Sequence, residues 1–248
     1  MSKLKKSTKA LYGLGFTSQG IKDGLFQVFL FFFYSQILGL DAVVTGSALT
    51  IALLFDAVSD PLVGVLSDDW KSKEWGRRHP FMFASAIPLG VFLYLLFIPP
   101  EGIDDTGLFW WLTTFAILVR LSLTLFIVPA MSLGAEMSTN YEERTSVTTY
   151  RITFAAFISP FIILFGLTTY FAPTEEITNG LFKKEAYPSF ALLCSFLAII
   201  VIFISTYFTK NIIPRLPQNA PSTVKMTIVQ VFKNLKKALS LKSYKSLI

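Results

Sequence analysis

The sequence is poor in charged residues, cysteine and histidine. Only 15% of its 248 residues are Asp, Glu, Lys or Arg, and it holds one cysteine and one histidine. Soluble domains carry roughly a quarter charged residues, so this chain is too apolar to be one. The single Cys194 cannot form an intrachain disulfide, which argues against a disulfide-stapled secreted fold. The same composition disfavours intrinsic disorder and nucleic-acid binding.

Apolar residues dominate instead. Hydrophobic residues make up 53% of the chain, 25 residues are Phe, and the mean hydropathy is +0.57. Apolar stretches of about 18 residues or more predict helices that cross a membrane. The sequence contains six of them: residues 12–39, 42–67, 80–100, 108–134, 150–172 and 187–209. The predicted fold class is therefore an all-α transmembrane protein with a six-helix bundle.

The basic residues predict the orientation of this bundle. Most lysines and arginines fall in the N-terminal arm, the second loop and the tail, whereas the loops on the other side offer only Lys183 and Lys184. Because basic loops stay in the cytoplasm, both termini are expected there. An even number of spans is then required, and six satisfies this requirement.

The distribution of apolar stretches and prolines divides the chain into two regions. Residues 1–210 form the predicted bundle, and residues 211–248 form a linker with Pro214, Pro217 and Pro221 followed by a basic amphipathic helix. Apolar residues recur in that helix at 224, 228, 231 and 235, beside lysines. Such a helix is typical of segments that lie on a membrane surface, and a solvated linker helix is the alternative.

Six ionisable residues lie inside the predicted spans. Each costs about 2.5–3.5 kcal/mol at the bilayer centre, so they are expected to face a protein interior or a wet cavity and to pair there. The bases are Lys22, Arg120 and Arg151, and the acids are Asp23, Asp56 and Asp60.

Asp56 and Asp60 predict a cation site. They are four residues apart, so their carboxylates project from one helix face about 6 Å apart. Two such carboxylates repel each other unless a cation or a proton lies between them. With the hydroxyls of Ser59 and Thr124 nearby, these oxygens suit Na⁺ as the bound metal ion, and a proton is the alternative. Fixed ion pairs with the three bases are the purely structural interpretation.

Several motifs resemble a known family. They are Lys22-Asp23, the string Asp56-x-x-x-Asp60-Pro61-x-x-Gly64, and the loop Trp75-Gly76-Arg77-Arg78-His79-Pro80. The string and the loop are similar to those of the glycoside–pentoside–hexuronide:cation symporters, which are melibiose-carrier-like members of the major facilitator superfamily. The resemblance runs from about Tyr12 to Lys210 and covers the N-terminal half of such a transporter.

The resemblance implies roles for individual residues. Asp56, Asp60 and Thr124 match positions of the coupling cation, and Ser59 stands where an asparagine often lies. Lys22, Asp23 and Arg151 match positions of the family's sugar contacts and charge network. Arg120 is an extra base that favours an anionic solute such as a hexuronide. Ile127 replaces a sugar-binding aspartate of the melibiose carriers. The predicted conformational loop, which locks the two halves in one access state, comprises Asp68, Gly76, Arg77, Arg78 and Arg144.

The sequence thus predicts a secondary active transporter of the cell membrane, not an enzyme. It is expected to need no cofactor beyond the coupling ion and to bind a small glycoside, pentoside or hexuronide, together with membrane lipid but no nucleic acid. A C-terminal six-helix half or a second copy of the chain is expected to complete the site. The alternatives are a Mg²⁺-dependent membrane prenyl- or phosphatidyl-transferase that uses Asp56 and Asp60, and a membrane scaffold without transport.

Overall fold

The computed structural model describes residues 4–70, 72 and 74–216, and within them the chain is helical without a β-strand. The amphipathic helix predicted around residues 224–235 lies outside the described residues. Helical structure is what the apolar runs require, because an α-helix satisfies its own backbone hydrogen bonds in a medium without water.

The first segment, residues 6–37, is assembled from short helical pieces. Helices α1 and α2 are followed by two π-helical stretches, in which the turns are wider than in an α-helix. The pieces are α1 (Lys6–Gly15), α2 (Thr17–Gly24) and the π-helices Leu25–Leu30 and Phe33–Ile37. Widened turns often accompany functional residues, and here they begin at Leu25, two residues after Asp23.

Five longer helices follow the first segment. They are α3 (Ala42–Asp69), α4 (His79–Leu95), α5 (Asp105–Glu136), α6 (Tyr141–Phe165, continued by the π-helix Gly166–Tyr170) and α7 (Ala186–Thr209). Short 3₁₀-helices occupy Gly180–Phe182 and Lys210–Arg215. Side chains of Asp41, Asp104 and Asn140 accept hydrogen bonds from the first backbone N–H groups of α3, α5 and α6. These caps explain why those helices begin where they do.

Among the described residues, four stretches are long and apolar enough to cross a membrane: Ala42–Asp69, Asp105–Glu136, Tyr141–Tyr170 and Ala186–Pro214. Helix α4 has 17 residues and is shorter than the predicted span of residues 80–100. Its chain leaves the helix before Pro99 and Pro100, and the side chains of Trp111 and Tyr34 donate hydrogen bonds to the carbonyls of Leu95 and Leu96. The total of six crossings and the cytoplasmic position of both termini remain predictions.

The helices pack as a connected series. Helix α3 lies against α5, α5 against α4, α4 against α7, α7 against the first segment, and the first segment against α6. Glycines allow the closest contact in this series: a Cβ on Gly20 would lie 2.5 Å from the carbonyl oxygen of Ala155 on α6. Helices α3 and α6 stand at the two ends and expose apolar side chains, among them Leu53, Leu54, Phe157 and Phe161.

Helices α3 and α5 run parallel with a constant register. Asp56 contacts Arg120 and Asp60 contacts Thr124, and in both pairs the partners are 64 residues apart. A Cβ on Gly64 would meet Val128, which continues the same offset. One face of α3 therefore meets one face of α5 over at least two helical turns, and this contact places the candidate site.

Candidate cation and solute site

The two acids of α3 have different partners on α5. Arg120 donates a hydrogen bond from Nη1 to Oδ2 of Asp56, and this contact is also an ion pair. One turn further, the hydroxyl of Thr124 donates to Oδ1 of Asp60 over 2.8 Å. Arg120 lies near the midpoint of the 32-residue helix α5. The structure thus brings four predicted site residues together near the middle of two long helices: Asp56, Asp60, Arg120 and Thr124.

The pair formed by Asp56 and Arg120 is only partly satisfied. Their side chains are 25% and 18% exposed, yet Oδ1 of Asp56 and Nε of Arg120 are buried without a hydrogen-bond partner within the part of the chain that the structure describes. Buried polar atoms without partners are costly. A free carboxylate oxygen therefore lies one turn from Asp60.

Asp60 is exposed and forms no ion pair with any described residue.

Two neighbouring groups of α3 differ in their position relative to this acid. Ser59 is buried, and its hydroxyl lies 3.5 Å from the backbone carbonyl oxygen of Asp56, so this hydroxyl contacts neither the carboxylate of Asp56 nor that of Asp60. Pro61 has no N–H to donate, so the carbonyl of Ala57 lacks its usual partner within the helix. This carbonyl is an oxygen that sequence analysis missed, although the position of Pro61 indicates it.

Lys22 and Asp23 lie beside this acid pair. Nζ of Lys22 is 2.5 Å from Oδ1 of Asp23, and Lys22 is buried. Phe26 lies one turn further along the first segment, and two basic side chains contact its ring. Nζ of Lys22 lies 5.3 Å from the ring centre, and Cζ of Arg120 lies 5.8 Å from it. Cation–π contact of this kind is favourable. Phe26 therefore links the two ion pairs.

Arg151 lies apart from that group. Its Cζ is 5.6 Å from the ring centre of Phe16, ten residues and about 15 Å of helix before Phe26. It lines a cavity of about 150 Å³ together with Tyr12, Gly134 and Arg144. No described contact joins Arg151 to Lys22, Asp23 or Arg120, so the four predicted solute residues occupy two places.

A cluster of ion pairs joins the C-terminal ends of α3 and α5 to the start of α4. Arg78 is buried and lies 2.6 Å from Glu136 and 3.2 Å from Asp68, and Arg77 lies 3.3 Å from Glu136. Gly76 has a φ of +65°, a conformation that favours glycine and turns the loop into α4. Glu136 was missed by sequence analysis because it follows an apolar run and has no motif partner nearby in sequence.

Arg144 is not in that cluster. It is exposed, lines the cavity beside Arg151, and forms no ion pair with the residues that the structure describes. A second ion pair at the same end of the bundle joins Lys9 to Glu143 over 2.9 Å, with the hydroxyl of Ser146 3.0 Å from Lys9. Lys9 is one of the basic residues of the N-terminal arm that indicate orientation, and its burial depends on the packing of α1 against α6, which the arm's sequence does not show.

The comparisons identify the family. The family model described as "MFS/sugar transport protein" matches residues 11–248. The chain belongs to this family of sugar transporters in the major facilitator superfamily, and the predicted resemblance is confirmed. Since the family consists of transport proteins, membership also supports the prediction that the protein is not an enzyme.

Three relatives illustrate the similarity. The symporter sll1374 of Synechocystis sp., named as uncharacterized, is 35% identical over 158 residues, which cover 62% of this chain and 29% of the relative. The isoprimeverose transporter of Lactiplantibacillus pentosus is 24% identical over 230 residues, covering 92% and 47%. The sodium-dependent lysophosphatidylcholine symporter 1-A of Danio rerio is 29% identical over 150 residues, covering 60% and 28%.

This chain therefore spans less than half the length of each of these relatives. Symporter relatives together with four long apolar helices identify a multi-pass membrane protein of the transport class. The transferase alternative loses support, because the matched family consists of transport proteins and Asp56, one of its two acids, is paired with Arg120.

Proposed function

We propose that this chain is the N-terminal part of a cation-coupled symporter that moves a sugar or glycoside across the cell membrane by alternating access. The observation that carries the proposal is the pair of contacts between α3 and α5, Asp56 with Arg120 and Asp60 with Thr124, at mid-helix depth beside Lys22 and Asp23. Ionisable groups in a membrane helix that face one another inside the protein are typical of substrate and ion pathways.

The coupling cation binds at Asp60. Its carboxylate has one hydroxyl partner, and the free oxygen of Asp56 and the carbonyl of Ala57 supply further hard oxygen donors on the same helix. Such oxygens suit Na⁺, and the carboxylate alone suits a proton. The relative named as sodium-dependent supports Na⁺. Ser59 joins this donor set only if its hydroxyl turns away from the backbone.

The solute binds between the first segment and α5. Asp23 accepts hydrogen bonds from sugar hydroxyls, and Lys22 and Arg120 donate to ring or carboxylate oxygens, because charge-assisted hydrogen bonds are strong and directional. Arg151 contributes at the second position, near Phe16. The name of the isoprimeverose transporter supports a glycoside. A C-terminal half or a second copy supplies the other wall, as in transporters whose sites lie between repeats.

The ion pairs at the ends of α3, α4 and α5 hold one access state. Arg77 forms an ion pair with Glu136, and Arg78 forms ion pairs with Glu136 and Asp68. These contacts fix the ends of α3 and α5 relative to the start of α4. These charges are predicted to lie on the cytoplasmic side, where their separation accompanies opening toward the cytoplasm.

Uptake by the full polypeptide in proteoliposomes tests the function. Radiolabelled isoprimeverose is supplied with an inward Na⁺ gradient, an inward proton gradient, or none. A tenfold gradient of one coupled cation drives up to about tenfold accumulation, since both correspond to about 1.4 kcal/mol.

The matched controls are the same vesicles with the gradient collapsed by monensin or by a protonophore, and protein-free vesicles. Lysophosphatidylcholine is assayed in parallel as the second solute class. Uptake of both solutes that is identical with and without every gradient would refute cation-coupled symport.

A further inference from the structure

Arg120 neutralises one of the two carboxylates of the proposed cation site. Its guanidinium carries one positive charge and pairs with Asp56. Asp56, Asp60 and Arg120 together therefore carry one negative charge. One monovalent cation balances this charge, whereas a second would leave an unpaired positive charge at the middle of a membrane helix.

The contact between Arg120 and Asp56 consists of one hydrogen bond, from Nη1 to Oδ2. Arginine and carboxylate groups in stable buried pairs commonly form two parallel hydrogen bonds. Here one oxygen of Asp56 and the Nε of Arg120 stay buried without partners among residues 4–70, 72 and 74–216. The guanidinium thus occupies a place beside Asp56 that a free cation could also take.

Phe26 gives Arg120 a second contact that does not depend on Asp56. The guanidinium lies 5.8 Å from the ring centre, and Lys22 lies 5.3 Å from the same ring. The ring faces of Phe, Tyr and Trp attract cations. Arg120 is therefore held between the acid pair of α3 and the first segment, which carries Lys22 and Asp23.

We propose that Arg120 is a tethered cation that fills one of the two charge positions at Asp56 and Asp60, so that the site accepts a single coupling cation. This inference rests on the proposed function, because it concerns the same site. It assigns to Arg120 the limitation of cation number, a role separate from the solute contact predicted from the sequence.

The test counts ²²Na⁺ ions bound to the purified full polypeptide by scintillation proximity, for wild type, Arg120→Gln, Arg120→Lys and the double variant Asp56→Asn/Arg120→Gln. Arg120→Gln is expected to bind one more ²²Na⁺ than wild type, with an affinity for this ion at least about tenfold higher than any affinity of wild type. A neighbouring unit charge changes proton binding at a carboxylate by at least this factor. Arg120→Lys and the double variant are expected to bind the wild-type number.

The gain is expected whether the wild type couples to Na⁺ or to protons, because the variant opens a position that Arg120 fills. An unchanged ²²Na⁺ count and affinity in folded Arg120→Gln would overturn the inference, and so would a gain that persists in the double variant. If Arg120→Gln does not fold, the number of ²²Na⁺ ions bound by the folded double variant decides: the wild-type number supports the inference, and a loss of bound ²²Na⁺ contradicts it. Gradient-independent uptake by wild type would instead remove the proposed function itself.

Discussion

Asp60→Asn is expected to lower the apparent cation affinity of uptake by the full polypeptide about a hundredfold while leaving its folding intact. Asp60 is exposed and is not part of an ion pair in the described structure, so its replacement leaves no buried base without a counterion. The amide retains the hydrogen bond from Thr124 but cannot neutralise a bound cation. Losing a directly contacting charge costs about 3 kcal/mol, which lowers apparent cation affinity about a hundredfold. The dependence of the initial uptake rate on cation concentration measures this effect.

The matched control for this variant is Asp69→Asn. Asp69 lies at the end of the same helix and is exposed, outside the contacts with Arg120 and Thr124. It is expected to keep the wild-type dependence on cation concentration. Wild-type cation stimulation in Asp60→Asn would remove Asp60 from the site, and equal loss in both variants would indicate that helix α3 tolerates no loss of charge.

Asp23→Asn is expected to lower solute affinity by at least about a hundredfold. The substitution removes the proposed acceptor for sugar hydroxyls and also leaves Lys22 buried without its partner at 2.5 Å. Removing one charged partner of a hydrogen-bonded contact costs about 3 kcal/mol of binding, which corresponds to about a hundredfold in affinity. The KM for solute at saturating cation measures the effect, and ²²Na⁺ binding is expected to stay at the wild-type level.

The double variant Lys22→Gln/Asp23→Asn separates the two contributions. It contains no unpaired charge at this position, so its thermal stability in detergent is expected to recover toward that of wild type. Its solute affinity is expected to remain low, because neither charged partner for sugar oxygens is present. Recovery of wild-type KM together with stability would mean that the pair is only structural.

Hydropathy predicted the helices well because length and apolarity are local properties of the chain. The predicted stretch 42–67 corresponds to α3, and 108–134 corresponds to α5, each extended at its ends. The added residues are partly polar, such as Asp105 and Glu136 of α5, and a hydropathy pattern assigns such residues to loops. The division of the first segment could not be predicted, because π-helical turns depend on packing and leave no hydropathy pattern.

The sequence predicted that the ionisable residues inside the spans pair with one another, but it did not predict which residues form each pair. Four-residue spacing places Asp56 and Asp60 on one helix face, but the partners depend on the register between α3 and α5, which the sequence does not encode locally. Glu136 was missed for the same reason, since its contact with Arg78 depends on where two helices end. The separation of Arg151 from Lys22 likewise follows from packing, because α6 contacts the first segment along much of its length.

The central claim is that the ionisable residues of α3, α5 and the first segment line a water-filled passage. Cysteine reactivity measures this most directly, since a thiol reacts with a charged, membrane-impermeant methanethiosulfonate only where water reaches it. The full polypeptide is prepared with its own cysteines, including the buried Cys194, replaced by alanine, and single cysteines are introduced as Asp60→Cys and, as the control, Leu192→Cys. Leu192 is an exposed apolar position on α7. We expect the thiol at position 60 to be labelled rapidly, and bound solute to slow this labelling. The thiol at position 192 is expected to be labelled slowly. Labelling at position 60 that is no faster than at position 192 would contradict the water-filled passage.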